Sequence, residues 1–396
     1  MPLNFIGILF IVGYYASRIE DHDIFKKRMN QYRITTSPKQ ALLSFSLFSV
    51  CGATFASNTE QDIQRLESRI QQLEQQVESQ NTKINEKTNN PFSNVEISGL
   101  VEVEAFVTEP DSGESESDIT LATVELGIAS NITKNLRAEV VFLFEEDETD
   151  LEIDVAELTY AFANTPISIS AGQLYVPFGS FDTGLVSDPL TLEIGETRET
   201  TFKLNYELGP IAGSLYAFNG DINRNGGNDI ENWGANVSYT DNGLNVGIGY
   251  INSLGDSDAI QDSLANQDPS SFSDGFTANF SYAIGAFTFI GEYVTALNGF
   301  NDAAFNGAEP SASNLEVDYS INLFGKPGTL IAAYQTTNDS LALELPETKF
   351  LLGLGVEFND NFGLAFEYTN EEDYGVSEGG SGESSDTLTA QLAISF

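Results

Sequence analysis

The chain has 396 residues, a formal net charge of −42 and a pI near 4.1. Nucleic-acid binding needs clustered lysine and arginine side chains, so this acidity argues against a nucleic-acid partner. Glycine (34 residues) and phenylalanine (28 residues) are frequent, whereas cysteine (1 residue) and methionine (2 residues) are scarce. This composition suits β-structure in an oxidising compartment.

Residues 1–56 are predicted to be a signal or targeting segment. The apolar stretch 41–56 ends in small residues at Ala56, and Arg33 and Lys39 supply positive charge ahead of it. This pattern is typical of a secretory signal cleaved near Ala56. Because the apolar residues 3–15 are unusual before such a signal, we hypothesise that translation begins at Met29. Mass spectrometry that detects residues 1–28 in the cellular protein would contradict this start site.

Cleavage at this point changes which kinds of chemistry are available. The segment holds six of the 17 bases and three of the 59 acids, so the mature chain has 11 bases, 56 acids and a net charge of −45. It also contains the only cysteine, the only histidine and both methionines. Catalysis by serine–histidine or cysteine–histidine pairs and histidine-ligated zinc are thereby excluded, and we expect no enzyme.

Residues 57–91 are predicted to form a short periplasmic coiled coil with polar linkers. Apolar residues alternate at spacings of three and four from Ile63 to Ile84, which indicates a helical seam of about three heptads. A single amphipathic helix on a domain surface is the alternative. A seam of this composition nominally favours a parallel dimer. We nevertheless expect a homotrimer, because a trimeric barrel beneath would override so short a preference.

Residues 92–396 are predicted to form a transmembrane antiparallel β-barrel of about 16 strands. The chain ends with Leu388, Ala390, Leu392, Ile394 and Phe396 alternating with small or polar residues, which is the period of a strand with one apolar face. A terminal strand that faces lipid must pair along its open edge, and the first strand is its natural partner. Sixteen such segments are predicted, at 94–107, 118–130, 135–146, 152–163, 166–176, 199–208, 211–219, 232–240, 244–254, 275–284, 286–297, 314–324, 328–337, 348–358, 361–370 and 386–396.

The connections between these segments alternate in length. Tight turns such as Gly209–Pro210 and Asn359–Asp360 alternate with longer polar loops such as 177–198, 255–274 and 298–313. Short turns on one side and long loops on the other are the layout of outer-membrane barrels, which predicts a bacterial outer-membrane location in contact with lipid. Because the diameter of a barrel grows with its strand number, sixteen strands predict an all-β protein with a water-filled lumen.

Acidic residues fall on the face predicted to point inward. Ten acids are assigned to the lumen by their alternation with apolar residues: Glu96, Glu102, Glu104, Glu139, Glu157, Glu207, Glu292, Asp318, Glu357 and Glu367. Arg137, Lys203 and Lys349 are the few inward bases. Rings of acids favour cations, although hydration of the wall is the alternative role for any one of them.

The third long loop, 177–198, is predicted to fold inward and narrow the channel, as the third external loop does in general porins. Six side chains of the loop would then lie near the constriction: Phe178, Asp182, Asp188, Glu193, Glu196 and Arg198.

A calcium site is a second possibility, in loop 220–231. Asp221, Asn223 and Asn225 match the first half of a calcium-binding loop. Position twelve is Asn232 where such loops have a bidentate glutamate, and a solvated turn is the alternative.

Several stretches resemble the Legionella-type siderophore porins. They are the signal, the coiled coil, Val95-Glu96-Ile97-Ser98-Gly99, and the segment Ala171–Gly179, which is also similar to phosphate-selective porins. The resemblance covers most of residues 60–396 and implies passage of a ferric siderophore through a barrel without a plug domain. Three functions are therefore carried forward: ferric siderophore uptake, a general porin preferring small cationic solutes, and a barrel that only anchors an envelope tether or adhesin.

Overall fold

A single closed barrel of sixteen antiparallel strands forms the body of the molecule, in a computed structural model that describes residues 94–222, 224, 229–264, 271–301 and 305–396. Each strand pairs with its sequence neighbours, and the first pairs with the last. In chain order the strands are β1 Val95–Pro110, β2 Glu116–Asn131, β3 Leu136–Glu145, β4 Thr149–Ala161, β5 Ile167–Tyr175, β6 Arg198–Leu208, β7 Ile211–Asn219, β8 Asn232–Asp241, β9 Leu244–Ile251, β10 Gly275–Ile284, β11 Phe287–Ala296, β12 Ser311–Leu323, β13 Lys326–Asn338, β14 Thr348–Asn359, β15 Phe362–Glu372 and β16 Ser384–Ser395.

Every predicted strand is present, and no strand end differs from its predicted position by more than three residues. The barrel class is therefore confirmed. The predicted signal segment and the coiled coil at 57–91 lie outside the described residues.

Two short helices lie in loops between strands. Helix α1, Leu190–Gly195, connects β5 to β6, and helix α2, Asp258–Leu264, connects β9 to β10. Single 3₁₀ turns occur at Leu254–Asp256 and Leu341–Leu343. Within the described ranges, the helices are too short and too polar to cross a bilayer.

The barrel closes where the chain ends, as the terminal alternation predicts. The backbone groups of Gly99 and Phe396 exchange two hydrogen bonds of 3.0 Å. Gly99 lacks a side chain where the Phe396 ring lies over it, since a Cβ there would be 2.3 Å from Phe396 Cζ. The C-terminal aromatic residue thus covers the seam between β1 and β16.

The two faces of the wall have the polarity expected from the sequence. On β6, Phe202, Leu204 and Tyr206 point outward and are 55%, 42% and 43% exposed. Lys203 and Asn205 alternate with them on the lumen face. The outward apolar side chains are removed from water only if an apolar medium such as lipid covers them. The inward polar groups, in contrast, can be hydrated in the lumen.

Gly172 on β5 is a position that no other residue can occupy without backbone movement. Its φ is +142°, and a Cβ would lie 1.9 Å from the Ala156 carbonyl oxygen on β4. Gly172→Ala should therefore destabilise the barrel by about 3 kcal/mol or more. The measurement is the temperature at which the folded form is lost in heat-modifiable gel migration. The matched control is Gly355→Ala on β14, where nothing lies within 4 Å of the added carbon; equal melting of the two variants would refute the prediction.

Candidate constriction of the lumen

The loop 176–197, here called the constriction loop, folds into the barrel and is held against the wall by a glutamate on β11. Glu292 accepts hydrogen bonds from the backbone N–H of Ser180 (2.7 Å) and Phe181 (2.9 Å) and from the Thr191 hydroxyl (3.1 Å). Glu292 is 6% exposed. Three donors offset part of the cost of burying this carboxylate, and together they tie Ser180, Phe181 and Thr191 of the loop to β11.

Two further glutamates hold the tip of the constriction loop. Glu316 on β12 accepts from the Thr183 hydroxyl and the Gly184 N–H, each at 2.7 Å. Glu367 on β15 accepts from the Val186 N–H at 2.7 Å and from the Ser187 hydroxyl. These acceptors span β11 to β15, so the loop lies along one side of the lumen.

Helix α1 of the constriction loop adds an apolar attachment. Leu190 and Ile194 are buried in a cluster with side chains of the neighbouring loops, including Ile260 and Leu264 of α2. The Leu190 N–H also donates to Gln335 Oε1 on β13 at 3.0 Å. This cluster fills part of the barrel beside the loop, so the remaining passage is off-centre.

The remaining passage runs beside the tip of the constriction loop, between it and lumen-facing residues of β1–β6 and β12–β16. A cavity of about 810 Å³ lies there, bounded by loop residues Gly184 to Val186 on one side. Glu102, Glu125 and Glu139 face it from the opposite wall. Asp188 of the loop interacts electrostatically with Glu102 and with Glu104, so carboxylates occupy both sides of the narrowing.

Basic side chains in the described lumen are paired with carboxylates. Arg198 donates to Glu152 and to Asp154 (3.0 Å), and Asp154 also accepts from the Tyr175 hydroxyl at 2.7 Å. The remaining ion pairs of the wall are Arg137 with Glu96 (3.3 Å) and Glu139 (3.4 Å), Lys203 with Glu157 (3.8 Å), and Lys349 with Glu371 (3.2 Å). Paired bases contribute little positive potential, so the field in the passage is negative.

The acids of the constriction loop have altered proton affinities. Burial raises the pKa of Glu196 to about 8, and nearby carboxylates, with Asp258 foremost, add to the shift. Burial also raises the pKa of Glu193, where the charge of Asp188 adds to the effect. Low local polarity disfavours the charged form of a carboxyl, and neighbouring negative charges act in the same direction.

A pH dependence of ion selectivity follows from Glu196. Below pH 8 its carboxyl is mainly protonated, and raising the pH from 7 to 9 adds a negative charge within electrostatic range of Asp188 and Asp154, beside the passage. Cation selectivity should therefore rise over this interval by about twofold, because one added charge changes the local potential modestly in a hydrated pore. Reversal potentials measured in a salt gradient test this, and Glu196→Gln should reduce the rise above pH 7. An unchanged pH profile in the variant would contradict the assignment.

Most of the constriction residues expected from the sequence lie around this passage. Asp188 comes within electrostatic range of Glu193 and Glu196. Arg198 is the first residue of β6, so the loop has the expected length but begins and ends one residue earlier than predicted. Phe178 differs from the expectation, because it is 1% exposed and packs in the apolar cluster away from water.

Three predicted residues lie away from the passage or near its rim. Asp182 lies close to Glu292 at the attachment of the loop. Glu207 is exposed near the end of β6, beside the turn to β7. Asp221 accepts a 3.3 Å hydrogen bond from Gln261, while Asn223 and Asn225 lie outside the described residues. Among described residues, no group of three or more histidines, cysteines or acids could hold a metal ion.

Three residues important for the site are not among those predicted to face the lumen: Glu125, Glu316 and Asp154. Glu316 lies two residues before Asp318 on the same face of β12, so strict alternation could have found it. Asp154 could not have been found in this way. Register on β3–β4 shifts between Val141, which pairs with Val155, and Phe142, which pairs with Ile153, so Asp154 is the extra residue of a bulge.

No protein-family model matches the chain. It is 26% identical over 357 residues to a UPF0422 protein of Legionella pneumophila strain Philadelphia 1, covering 76% of this chain and 66% of that protein. A UPF0422 protein of Coxiella burnetii is 29% identical over 259 residues, covering 58% of this chain and 56% of that protein. The chain therefore spans less than two thirds of the length of these relatives.

Solved structures with a similar barrel are outer-membrane channels. The outer membrane channel DcaP of Acinetobacter baumannii has a TM-score of 0.54 at 15% identity, covering 76% of this chain and 97% of that chain. Salmonella typhi OmpF in complex with daunomycin has a TM-score of 0.57 at 13% identity, covering 77% and 98%. Pseudomonas putida OprB has a TM-score of 0.56 at 8% identity, covering 76% and 94%. The fold is that of an outer-membrane porin. These names do not mention siderophores, so the siderophore resemblance remains a proposal.

Proposed function

We propose that this porin-fold protein is a channel of the bacterial outer membrane through which small cationic solutes diffuse. The observation that carries the proposal is the passage beside the constriction loop, where carboxylates face each other and the bases of the wall are paired. A water-filled lumen lined by one sign of charge concentrates the opposite ion and lowers its barrier to entry. The outward apolar face supports contact with lipid.

Ferric siderophore uptake is the more specific version of this function. It rests on the resemblance of residues 171–179 and of the first strand to siderophore porins. In a negative passage the favoured cargo would be a ferric complex of neutral or positive charge, because anionic complexes would be repelled.

A homotrimer is the assembly we propose, and the outer surface supports contact between copies. Among the described strands, β1, β2 and β16 carry no outward aromatic side chain before Phe396, whereas neighbouring β15 has Phe362, Phe366 and Tyr368. Aromatic girdles mark the lipid interface of such barrels, so their absence on three adjacent strands fits a covered surface.

Recordings in planar bilayers test the proposal. Full-length protein purified in detergent should give ion currents whose reversal potential in a potassium chloride gradient indicates cation preference. Absence of current would favour the anchor or adhesin alternative, and anion preference would refute the assigned role of the carboxylates. Current block by a ferric siderophore, absent with the iron-free siderophore, would support the specific cargo.

A further inference from the structure

The cavity beside the tip of the constriction loop has walls that are unusual for a hydrated pore. Lumen positions of outer-membrane barrels are polar by default, because water fills the channel. In this cavity, apolar side chains face inward from several strands and from the loop. Hydration of the wall therefore does not explain the apolar side chains in this lining.

The apolar part of the cavity is built from both sides. Leu100 on β1 pairs with Glu125 and Ser395, which share the lumen face. Val141 on β3 lies directly opposite Val155 on β4, and both line the cavity. Leu185 and Val186 bring apolar groups from the loop.

Specific contacts hold Leu185 and Val186 of the constriction loop in place. The backbone of Val186 is bound by Glu367. Leu185 lies over Gly353, where an added Cβ would be 2.8 Å from Leu185 Cδ2. The loop tip therefore presents a fixed apolar surface to the cavity that Leu100, Val141 and Val155 also line.

Carboxylates border the same apolar surface. Glu102, Glu125 and Glu139 line the cavity. Lys203, the base of the cavity lining, lies 3.8 Å from Glu157, which also lines it. A ligand in this space would meet apolar groups together with an excess of negative charge.

Resting on the proposed channel function, we propose that this cavity is a binding subsite for amphipathic organic cations, such as an ammonium group attached to an aromatic ring. The volume of about 810 Å³ lies within the usual range of about 300–1,000 Å³ for small-molecule sites. The ring would pack against Leu100, and the ammonium would approach Glu125, which is paired with Leu100, or Glu102, two residues along the same strand. Hydrophilic cations would gain only the electrostatic part of this interaction, and aromatic anions would be repelled.

Equilibrium binding tests the subsite independently of current. Phenethylammonium, ethanolammonium and phenylacetate would each be titrated calorimetrically into full-length detergent-solubilised protein, with micelle blanks subtracted. Phenethylammonium should bind about tenfold more tightly than ethanolammonium, since the ring adds buried apolar area. Phenylacetate should give no saturable signal.

A pair of identical substitutions locates the binding. Leu100→Asn should weaken phenethylammonium binding about fivefold and leave ethanolammonium binding unchanged, because only the apolar contact is lost. Leu341→Asn is the matched control: Leu341 lies in the 3₁₀ turn between β13 and β14, outside the cavity lining, and its variant should bind as the parent does. Heat-modifiable migration would verify that both variants are folded.

Equal binding of the two amines, or equal effects of the two substitutions, would overturn the subsite. The outcomes for channel and subsite are separable. A protein that binds phenethylammonium in this pattern but carries no current would refute the proposed channel and retain the subsite. A cation-selective channel that does not bind in this pattern would retain the channel and refute the subsite.

Discussion

Replacing Asp188 and Glu193 together by lysine is expected to lower the cation-to-anion permeability ratio by about tenfold and to bring the channel close to anion preference. Both residues belong to the constriction loop, and Asp188 acts electrostatically on Glu102, Glu104 and Glu196. Two acidic groups of the constriction loop become positive beside the passage, within electrostatic range of the wall carboxylates. Reversal potentials of single channels in a salt gradient measure the effect.

The control for this experiment changes the same number of charges outside the pore. Glu114→Lys with Glu116→Lys alters exposed residues at the loop between β1 and β2 and should leave selectivity nearly unchanged, because salt screens charges beyond about 10 Å. If both double variants changed selectivity equally, net charge of the protein, and not the constriction, would be the cause.

Glu292→Ala is expected to release the constriction loop while the barrel stays closed. The substitution leaves the Ser180 and Phe181 N–H groups and the Thr191 hydroxyl without their acceptor. Hydrogen bonds to a charged group contribute about 1.5–3 kcal/mol each, so the loss of all three should weaken the attachment of the loop by about 5 kcal/mol or more. Amide hydrogen exchange at residues 180–191 should accelerate strongly, and current through open channels should become noisier.

Glu357→Ala is a suitable comparison, because Glu357 also faces the lumen, on β14, while the hydrogen bonds of the loop go to other strands. It should leave exchange in the loop unchanged. Slow exchange at residues 180–191 in the Glu292 variant would mean that Glu316, Glu367 and the apolar cluster around α1 secure the loop without Glu292.

The strand number, the direction of each face and the closure of the barrel could be predicted from the sequence. Alternation of period two is a local property, and it recurs in segments such as 199–208 whatever the rest of the chain does. Satisfying every backbone hydrogen bond of strands with one apolar face then leaves a closed barrel as the solution. The turn residues, such as Gly209–Pro210, are equally local.

The constriction depended on tertiary structure. Ser180 meets Glu292 across 112 residues of sequence, and Val186 meets Glu367 across 181. Glutamates that hold the loop and glutamates that face the passage have the same inward position in the strand pattern, so alternation could not separate Glu292 from Glu102. Phe178 was expected at the passage and is buried instead, because loops between other strands fold over it. The sequence alone determined the wall, since pairing is local and periodic; the fold decided the width and charge of the passage, since these arise where distant segments meet.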